Sequence, residues 1–411
     1  MCSGTGWYDQ ALSECVLEEL DFSTENGDQS WFCVEGGAQK IARMMRKTIQ
    51  GSVQLNSRVL AIDAHPDPGM RKPKEHTPIT LKIKQTNPYT KKERTFEEDY
   101  FTVFNSTTLP ALQRMDLRKA GLLWGTKQAI RALGYGASCK VAIKFSTPWW
   151  RLEPFSIKGG VSRTDLPLRV CVYPSYNIND HTDESAVLLC SYTWGQDAQR
   201  LGSLISNNTT PQGEEELKRV LLHDLALLHG NESMPYEKLH ELLGDQYLTH
   251  HAWDWYRDEN MSGAFAYFGP GQFSNMWEEI IKPNAFGQLY LVGEAASSHH
   301  AWVVGALESV VRAVYLMIKG LSLHDPGYQP YQIAMKLLEE DSGTEGQEDN
   351  LPFHPLPLEM PNRQQKTERN APTTDDPQEA DELDKDLTFA AGMIAQCLIE
   401  SFLELSFGVK G

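Results

Sequence analysis

The sequence predicts a chain of mixed class, α/β in one part and α+β in another, and three observations predict it. The apolar run L-Y-L-V at 289–292 is stopped by Gly293 and followed, after a short polar turn, by an apolar stretch at 303–317. That is how a fully buried strand leading into a buried helix reads. Gly36 and Gly37, a helix-spaced stretch at 38–49 and an apolar strand at 53–62 have the order of a generic βαβ unit. Strand segments and amphipathic helices at 212–229 and 236–243 lie between the two and make up the α+β part.

At 411 residues the chain has room for two or three domains and a large core. Hydrophobic residues at 41% and charged residues at 23% fit a mostly globular protein. A net charge of -17 argues against nucleic acid or an anionic membrane as the main partner. No apolar run reaches membrane-spanning length, and M-C-S-G-T-G-W-Y-D-Q at the start lacks the basic and apolar regions of a signal peptide. Localisation stays open, since five N-x-S/T sites, at Asn105, Asn207, Asn208, Asn231 and Asn260, would matter only in a secreted protein. The seven cysteines show no C-x-x-C spacing, so free thiols are expected, with no zinc site or disulfide framework.

Along the chain, residues 1–21 read as a helix with Ala11, Leu12, Cys15, Val16, Leu17 and Leu20 on one side and acidic residues on the other. In the next helix, Ile41, Met44 and Met45 point inward. A Pro- and charge-rich turn at 66–77 and a strand at 79–85 suggest an exposed hairpin. A buried strand at 100–105 precedes Pro110, where the domain changes. Alternation at 138–145 puts Lys140, Ala142 and Lys144 on one face. Lys140 is then either an edge-strand solubility device or a functional group. Taken alone, Tyr173 ends a strand by packing on Pro174. Among the dense aromatic residues of 250–273, the Gly263-Ala264 pair suggests close approach to a planar group.

The helix of 303–317 carries only Glu308 and Arg312 as charges, four apart and so on one face. It should be buried. Its start has no Ser, Thr, Asp or Asn to cap the free backbone donors, so a ligand's partial negative charge would serve, aided by the helix dipole. Gly305 would let that ligand come close to the backbone. His299 and His300 invite a metal or general-base reading, but with no carboxylate at ligand spacing they are taken as pocket lining or turn polarity, and no metal is expected. Residues 339–386 are too acidic, Pro-rich and Gln-rich to order themselves. Leu387, Ala391, Ile394, Leu398, Phe402 and Leu405 have helical spacing, for a last helix docked on the body or on a second subunit of a homo-oligomer.

Several motifs agree in order with one family. The W-V-V-G-A-L-E-S core at 302–309, after the G-E turn, resembles the C-terminal FAD-binding segment of flavin-containing amine oxidases. G-x-x-x-K-x-x-x-x-F-x-x-P-x-W-R at 136–151 matches the family strand whose lysine holds a water beside the flavin's reactive nitrogen, the role implied for Lys140. G-G-x-S-x-T-D-L-P-x-R-x-x-x-Y-P at 159–174 resembles the L-amino-acid oxidase branch, where the tyrosine offers its hydroxyl to the substrate carboxylate, the role implied for Tyr173. W-x-x-D-x-x-x-x-G-A-F at 255–265 resembles the loop over the flavin. By this resemblance Trp302, Gly263 and Ala264 join Tyr173 in the substrate pocket. Val59, with its backbone against the adenine, Trp255, Gly293, Glu294, Val303 and Gly305 bind FAD.

The implied fold is a Rossmann-type FAD/NAD(P)-binding domain beside an amine-oxidase substrate-binding domain of mixed sheet and helices, like that of p-hydroxybenzoate hydroxylase. Its segments would be a helical remnant at 1–32, a middle FAD-binding segment at 33–110, the substrate domain at 111–255 and a C-terminal FAD-binding segment at 256–321. An acidic, disordered linker at 322–386 and a helix at 387–411 would follow. No G-x-G-x-x-G occurs, so the expectation is an incomplete dinucleotide domain, its N-terminal βαβ missing, and a chain without activity alone. The implied reaction is oxidation of an L-amino acid by FAD and molecular oxygen to a 2-oxo acid, ammonia and hydrogen peroxide. The alternatives are an amine oxidase of the monoamine or polyamine branch and a non-catalytic remnant or interaction protein.

Overall fold

The computed structural model describes residues 9–21, 32–49, 53–65, 79–176, 178–206, 214–324 and 326–341. The expected turn at 66–77 and the segments at 342–386 and 387–411 lie outside the described residues.

The chain opens with helices α1 (Leu12–Asp21) and α2 (Gln39–Thr48). Strands β1 (Ser57–Ala64), β2 (Ile79–Thr86) and β3 (Glu93–Tyr100) form an antiparallel sheet in that order. β4 (Val103–Asn105), α3 (Leu109–Leu112), α4 (Trp124–Ala132) and β5 (Gly134–Tyr135) lead to β6 (Ser138–Phe145). Then come β7 (Val161–Arg163), β8 (Val170–Val172), β9 (Ala186–Trp194), α5 (Gly195–Gly202), α6 (Glu215–His229), α7 (Tyr236–Gln246) and β10 (Tyr247–Asp254). The last elements are β11 (Ala266–Tyr267), α8 (Glu278–Ile280), β12 (Leu289–Leu291), α9 (Val303–His324) and α10 (Gln329–Asp341).

The two largest hydrophobic cores among the described residues follow from this order. The first lies under one face of a five-stranded sheet, β10-β6-β9-β8-β7, where Cys139, Val141, Ile143 and Phe145 meet Trp149, Trp150 and the inward leucines of α6 and α7. The second gathers Ile62 and Ile79 of the three-stranded sheet, residues of 109–135, and Leu289, Leu291, Ala295 and Ala296. At its edge β12 pairs in parallel with β4, Leu289 opposite Val103 and Leu291 opposite Asn105, with the Phe104 and Tyr290 rings stacked at 5.2 Å. The two apolar runs read as buried strands of separate segments therefore lie side by side. Burying each large apolar side chain contributes on the order of 1.5–3 kcal/mol.

Four expectations change. The βαβ reading of 36–62 fails, because β1 pairs antiparallel with β2 and belongs to a meander. α2 buries none of its residues, and Met44 lies on its exposed side. α1 is turned over: Leu12, Val16 and Leu20 are exposed while Glu14 is buried, since its carboxylate accepts hydrogen bonds from the body of the protein. Within the expected linker, α10 is an ordered helix that packs on α9, with Leu338 buried and Tyr315 donating to Glu339 at 2.8 Å.

Candidate active site

Pairing on both sides fixes Lys140. β6 has β10 on one side and β9 on the other, so Lys140 is not on an edge strand, and that explanation of its charge falls away. Alternation sends it to the open face of the sheet, opposite Trp253 of β10 and Tyr192 of β9. Its Nζ stands 4.5 Å from the centre of the Tyr192 ring. Burial lowers the Lys140 pKa and raises that of Tyr192, whose shift a hydrogen bond with Trp194 offsets and the charge of Glu18 on α1 reinforces. Trp194 packs against Tyr192 at 4.0 Å, and Trp253 stacks on His251 at 6.1 Å and meets Trp255 edge-on at 6.2 Å. The Trp253 indole N–H is buried with no hydrogen-bond partner among the described residues. A buried donor without an acceptor is the kind of group a ligand satisfies.

Tyr173 belongs elsewhere. It is 3% exposed and lies in the core behind the sheet, on the face away from Lys140. His229 Nδ1 must donate to the Leu225 carbonyl at 2.8 Å, so its Nε2 accepts from the Tyr173 hydroxyl at 2.5 Å, and that hydroxyl accepts from Ser162 at 2.8 Å. In this structure the Tyr173 hydroxyl is engaged inside the core, between Ser162 and His229. Sequence reasoning instead missed Tyr192 and Trp253, whose place beside Lys140 depends on strand pairing that one sequence does not reveal.

From this face a backbone ladder runs to the start of α9. Gly136 donates to Phe265 and accepts from Ala264, and Gly263 donates to the Trp255 carbonyl, so Trp255, Gly263 and Ala264 are held together just beyond β6. Gly263, at φ 147, is needed because a Cβ there would stand 3.0 Å from the Tyr135 ring. The planar group it approaches is that ring. Tyr135 in turn donates to Glu294 at 2.7 Å; burial and the Glu294 charge raise its pKa far above the ordinary phenol value.

Glu294 also accepts from Ala266 N–H at 2.9 Å and Ala301 N–H at 3.2 Å, so its carboxylate serves the protein. Gly293, at φ 107, donates its N–H to Ser309 at 2.8 Å. At the start of α9, no acceptor among the described residues meets the N–H groups of Val303, Val304 or Gly305. The helix is buried along its length at Ser309, Ala313, Val314 and Ile318, but Val303 is 59% exposed, so the expectation of burial from its first residue is corrected. Gly305 has a reason within the chain as well: a Cβ there would lie 2.4 Å from Ser297 Oγ and from the His299 carbonyl. Arg312 turns away from Glu308, donates to the Ala296 carbonyl and lies 5.7 Å from the Trp277 ring; burial lowers its pKa to about 10.

The remaining candidates are placed as follows. Trp302 is half-buried, and its carbonyl accepts from Ala306. Val59 is half-buried on β1, opposite Ile83, next to a bulge. His300 does have a carboxylate, Glu14 at 2.7 Å, 286 residues away in sequence. A cleft on the polar face of the three-stranded sheet, lined by Asp63, Lys82, Glu97, Asp116, Arg118 and Lys119, contains none of these residues. Its Arg118 already pairs with Asp116 at 2.5 Å.

The family model described as flavin containing amine oxidoreductase matches residues 1–318, and the chain belongs to that family, whose cofactor is FAD. L-amino-acid oxidase 4 of Hebeloma cylindrosporum is 37% identical over 76% of this chain and 48% of its own length. A putative bifunctional amine oxidase of Dictyostelium discoideum is 36% identical over 78% of this chain and 28% of its own. The L-amino-acid oxidase of Siganus canaliculatus is 29% identical over 74% and 50%. The chain thus spans half or less of the length of these relatives. A putrescine oxidase structure redesigned in its cofactor binding aligns with TM-score 0.50 and 16% identity over 69% of this chain and 53% of its own, a likeness of fold.

Proposed function

We propose that this chain carries the flavin-facing and substrate-facing surfaces of an FAD-dependent L-amino-acid oxidase. One observation carries the reading: Lys140 stands on the open sheet face beside Tyr192 and Trp253, and hydrogen bonds through Gly136, Ala264 and the Glu294 carboxylate lead from that face to Ala301, two residues ahead of the free N–H groups at 303–305. Those donors fit the electron-rich edge of the flavin ring, and an exposed helix start suits them to it. Trp255 and Trp302 would flank the ring and Val59 would lie against the adenine, while Gly293 and Glu294 act by shaping the turn. FAD, if held by these residues, would supply the redox chemistry of the oxidation, with molecular oxygen as the final oxidant.

The chain's own residues orient and exclude. Lys140, its charge weakened by burial, holds a proton at Nζ that a bound water can share. Tyr192, which shares the Lys140 face, is the tyrosine there that would offer its hydroxyl to a substrate carboxylate, while the Tyr173 hydroxyl is engaged with His229 behind the sheet. The aromatic side chains exclude bulk water around the reacting α-carbon. Molecular oxygen and an L-amino acid are the small-molecule partners.

The names of the relatives favour amino acids, and the putrescine oxidase likeness shows fold alone. The test is peroxide formation by the purified flavin-loaded protein from an L-amino acid and from its decarboxylated amine. Preference for the amino acid is expected; equal or greater turnover of the amine would move the protein to another amine-oxidase branch.

A further inference from the structure

Two carboxylates converge on His300 and Ala301, in the turn ahead of α9. Glu294 holds Ala301 N–H through one oxygen and Ala266 N–H through the other. Glu14, from α1, holds His300 Nδ1 at 2.7 Å through one oxygen and Phe268 N–H at 3.0 Å through the other. Each carboxylate therefore staples the 266–268 segment to the same turn. The turn needs holding, since Ala301 sits at φ 68, in the left-handed region that residues other than glycine avoid. Glu14 and His300 are both buried, and the His300 ring lies edge-on to Phe268 at 4.4 Å and stacked with Phe273 at 5.8 Å. Two more bonds seat α1 there, Ala11 N–H to the Phe268 carbonyl at 2.8 Å and Tyr267 hydroxyl to Asp9 at 3.2 Å. A carboxylate occupies the inward face of this helix while Leu12, Val16 and Leu20 face out, a choice that apolar packing alone does not make.

We propose that Glu14 is a positioning residue for the donor end of α9: by gripping His300 it fixes the turn at 300–301, so that the seating of α1 sets the direction of the free N–H groups at 303–305. Its consequence for FAD rests on the reading of α9 given above, but the coupling itself is measurable without flavin.

The experiment is amide hydrogen exchange on the purified chain, followed by the rate of flavin release after loading with FAD. Glu14→Ala should speed exchange at Ala301 and Ala306, the hydrogen-bonded amides that flank the free donors, by about tenfold, as loss of a local staple does, and should speed flavin release. His300→Ala, which removes the donor to Glu14, should reproduce both effects. Glu14→Gln, which keeps an oxygen for His300 but turns an NH2 toward Phe268 N–H, should retain part of the protection, and Leu12→Ala on the exposed side of α1 should change nothing at Ala301 and Ala306. Faster exchange confined to 12–21, or an equal effect from Leu12→Ala, overturns the proposal. If Glu14→Ala does not fold, wild-type exchange at Ala301 and Ala306 in His300→Ala overturns it. Faster exchange at Ala301 and Ala306 with unaltered flavin release keeps the positioning role and overturns the flavin-facing reading of α9.

Discussion

Two tyrosines separate what a residue's neighbours in sequence reveal from what its neighbours in space do. Tyr173 sits in a motif, yet its hydroxyl lies between Ser162 and His229 behind the sheet. Tyr173→Phe should therefore cost about 1–3 kcal/mol of stability, because it strips a buried acceptor of its donor, and leave KM for the amino acid unchanged. Denaturant midpoints and steady-state kinetics check both. Tyr192→Phe should do the reverse, raising KM by about one to two decades, the worth of one hydrogen bond to a carboxylate, with little loss of stability. Equal effects of Tyr192→Phe on the amine and the amino acid would remove it from carboxylate binding. The face Lys140 takes was legible from strand alternation; its neighbours Tyr192 and Trp253, 52 and 113 residues further on, were not, because strand pairing over such separations is set by the tertiary fold. Since burial lowers the Lys140 pKa, the unfolded chain binds more protons between the folded value and the ordinary 10.5, so stability rises with pH across that window. Lys140→Met should slow flavin reduction or reoxidation. It should also raise the melting temperature below the folded pKa, with a gain that shrinks as pH climbs toward 10.5.

Elements follow the same division. Helices α6, α7 and α9 and strand β6 lie where periodicity puts them, because each buries one regular face against a core, and β12 lies where its continuous apolar run puts it, buried at every residue. α1 and α2 mislead for a physical reason: apolar spacing fixes a helix's stripe but not whether the stripe or a buried carboxylate faces inward. β3 and α10 went unread, the first because six of its eight residues, E-R-T-F-E-E-D-Y, are charged or polar beyond Phe96 and Tyr100, the second because its start lies in a segment judged as linker. Gly305 carries a prediction at this scale. A methyl group there would meet Ser297 Oγ and the His299 carbonyl at 2.4 Å, and helix backbone cannot yield far. Gly305→Ala should displace the turn at 297–299 and destabilise the protein by about 1–3 kcal/mol, the usual cost of overpacking. Ala306→Gly, its neighbour in the same helix, should cost only about 1 kcal/mol from helix propensity. A thermal shift for Gly305→Ala no larger than for Ala306→Gly would show that the loop gives way.

Across the whole molecule two pH-dependent effects oppose each other. A net charge of -17 at pH 7 repels itself, so partial neutralisation on acidification favours the folded chain. Against this, burial lowers the pKa of His229, partly offset by its hydrogen bond to the Leu225 carbonyl. The unfolded chain then binds a proton that the folded chain refuses between the folded pKa and the ordinary 6.5, and stability falls as pH drops through that window. The two effects separate by pH and by salt. Carboxylates titrate mainly below pH 5, whereas the histidine acts just below 6.5; surface repulsion is screened beyond about 10 Å at 0.1 M salt, whereas a histidine buried between Tyr173, Trp149 and Phe155 is not. Equilibrium unfolding should therefore show stability declining from pH 6.5 toward 5 with a slope that salt leaves alone. His229→Gln should flatten that decline, since glutamine keeps a donor and an acceptor but takes up no proton. A decline that persists unchanged in His229→Gln, or that high salt abolishes, would assign the acid sensitivity to surface charge instead.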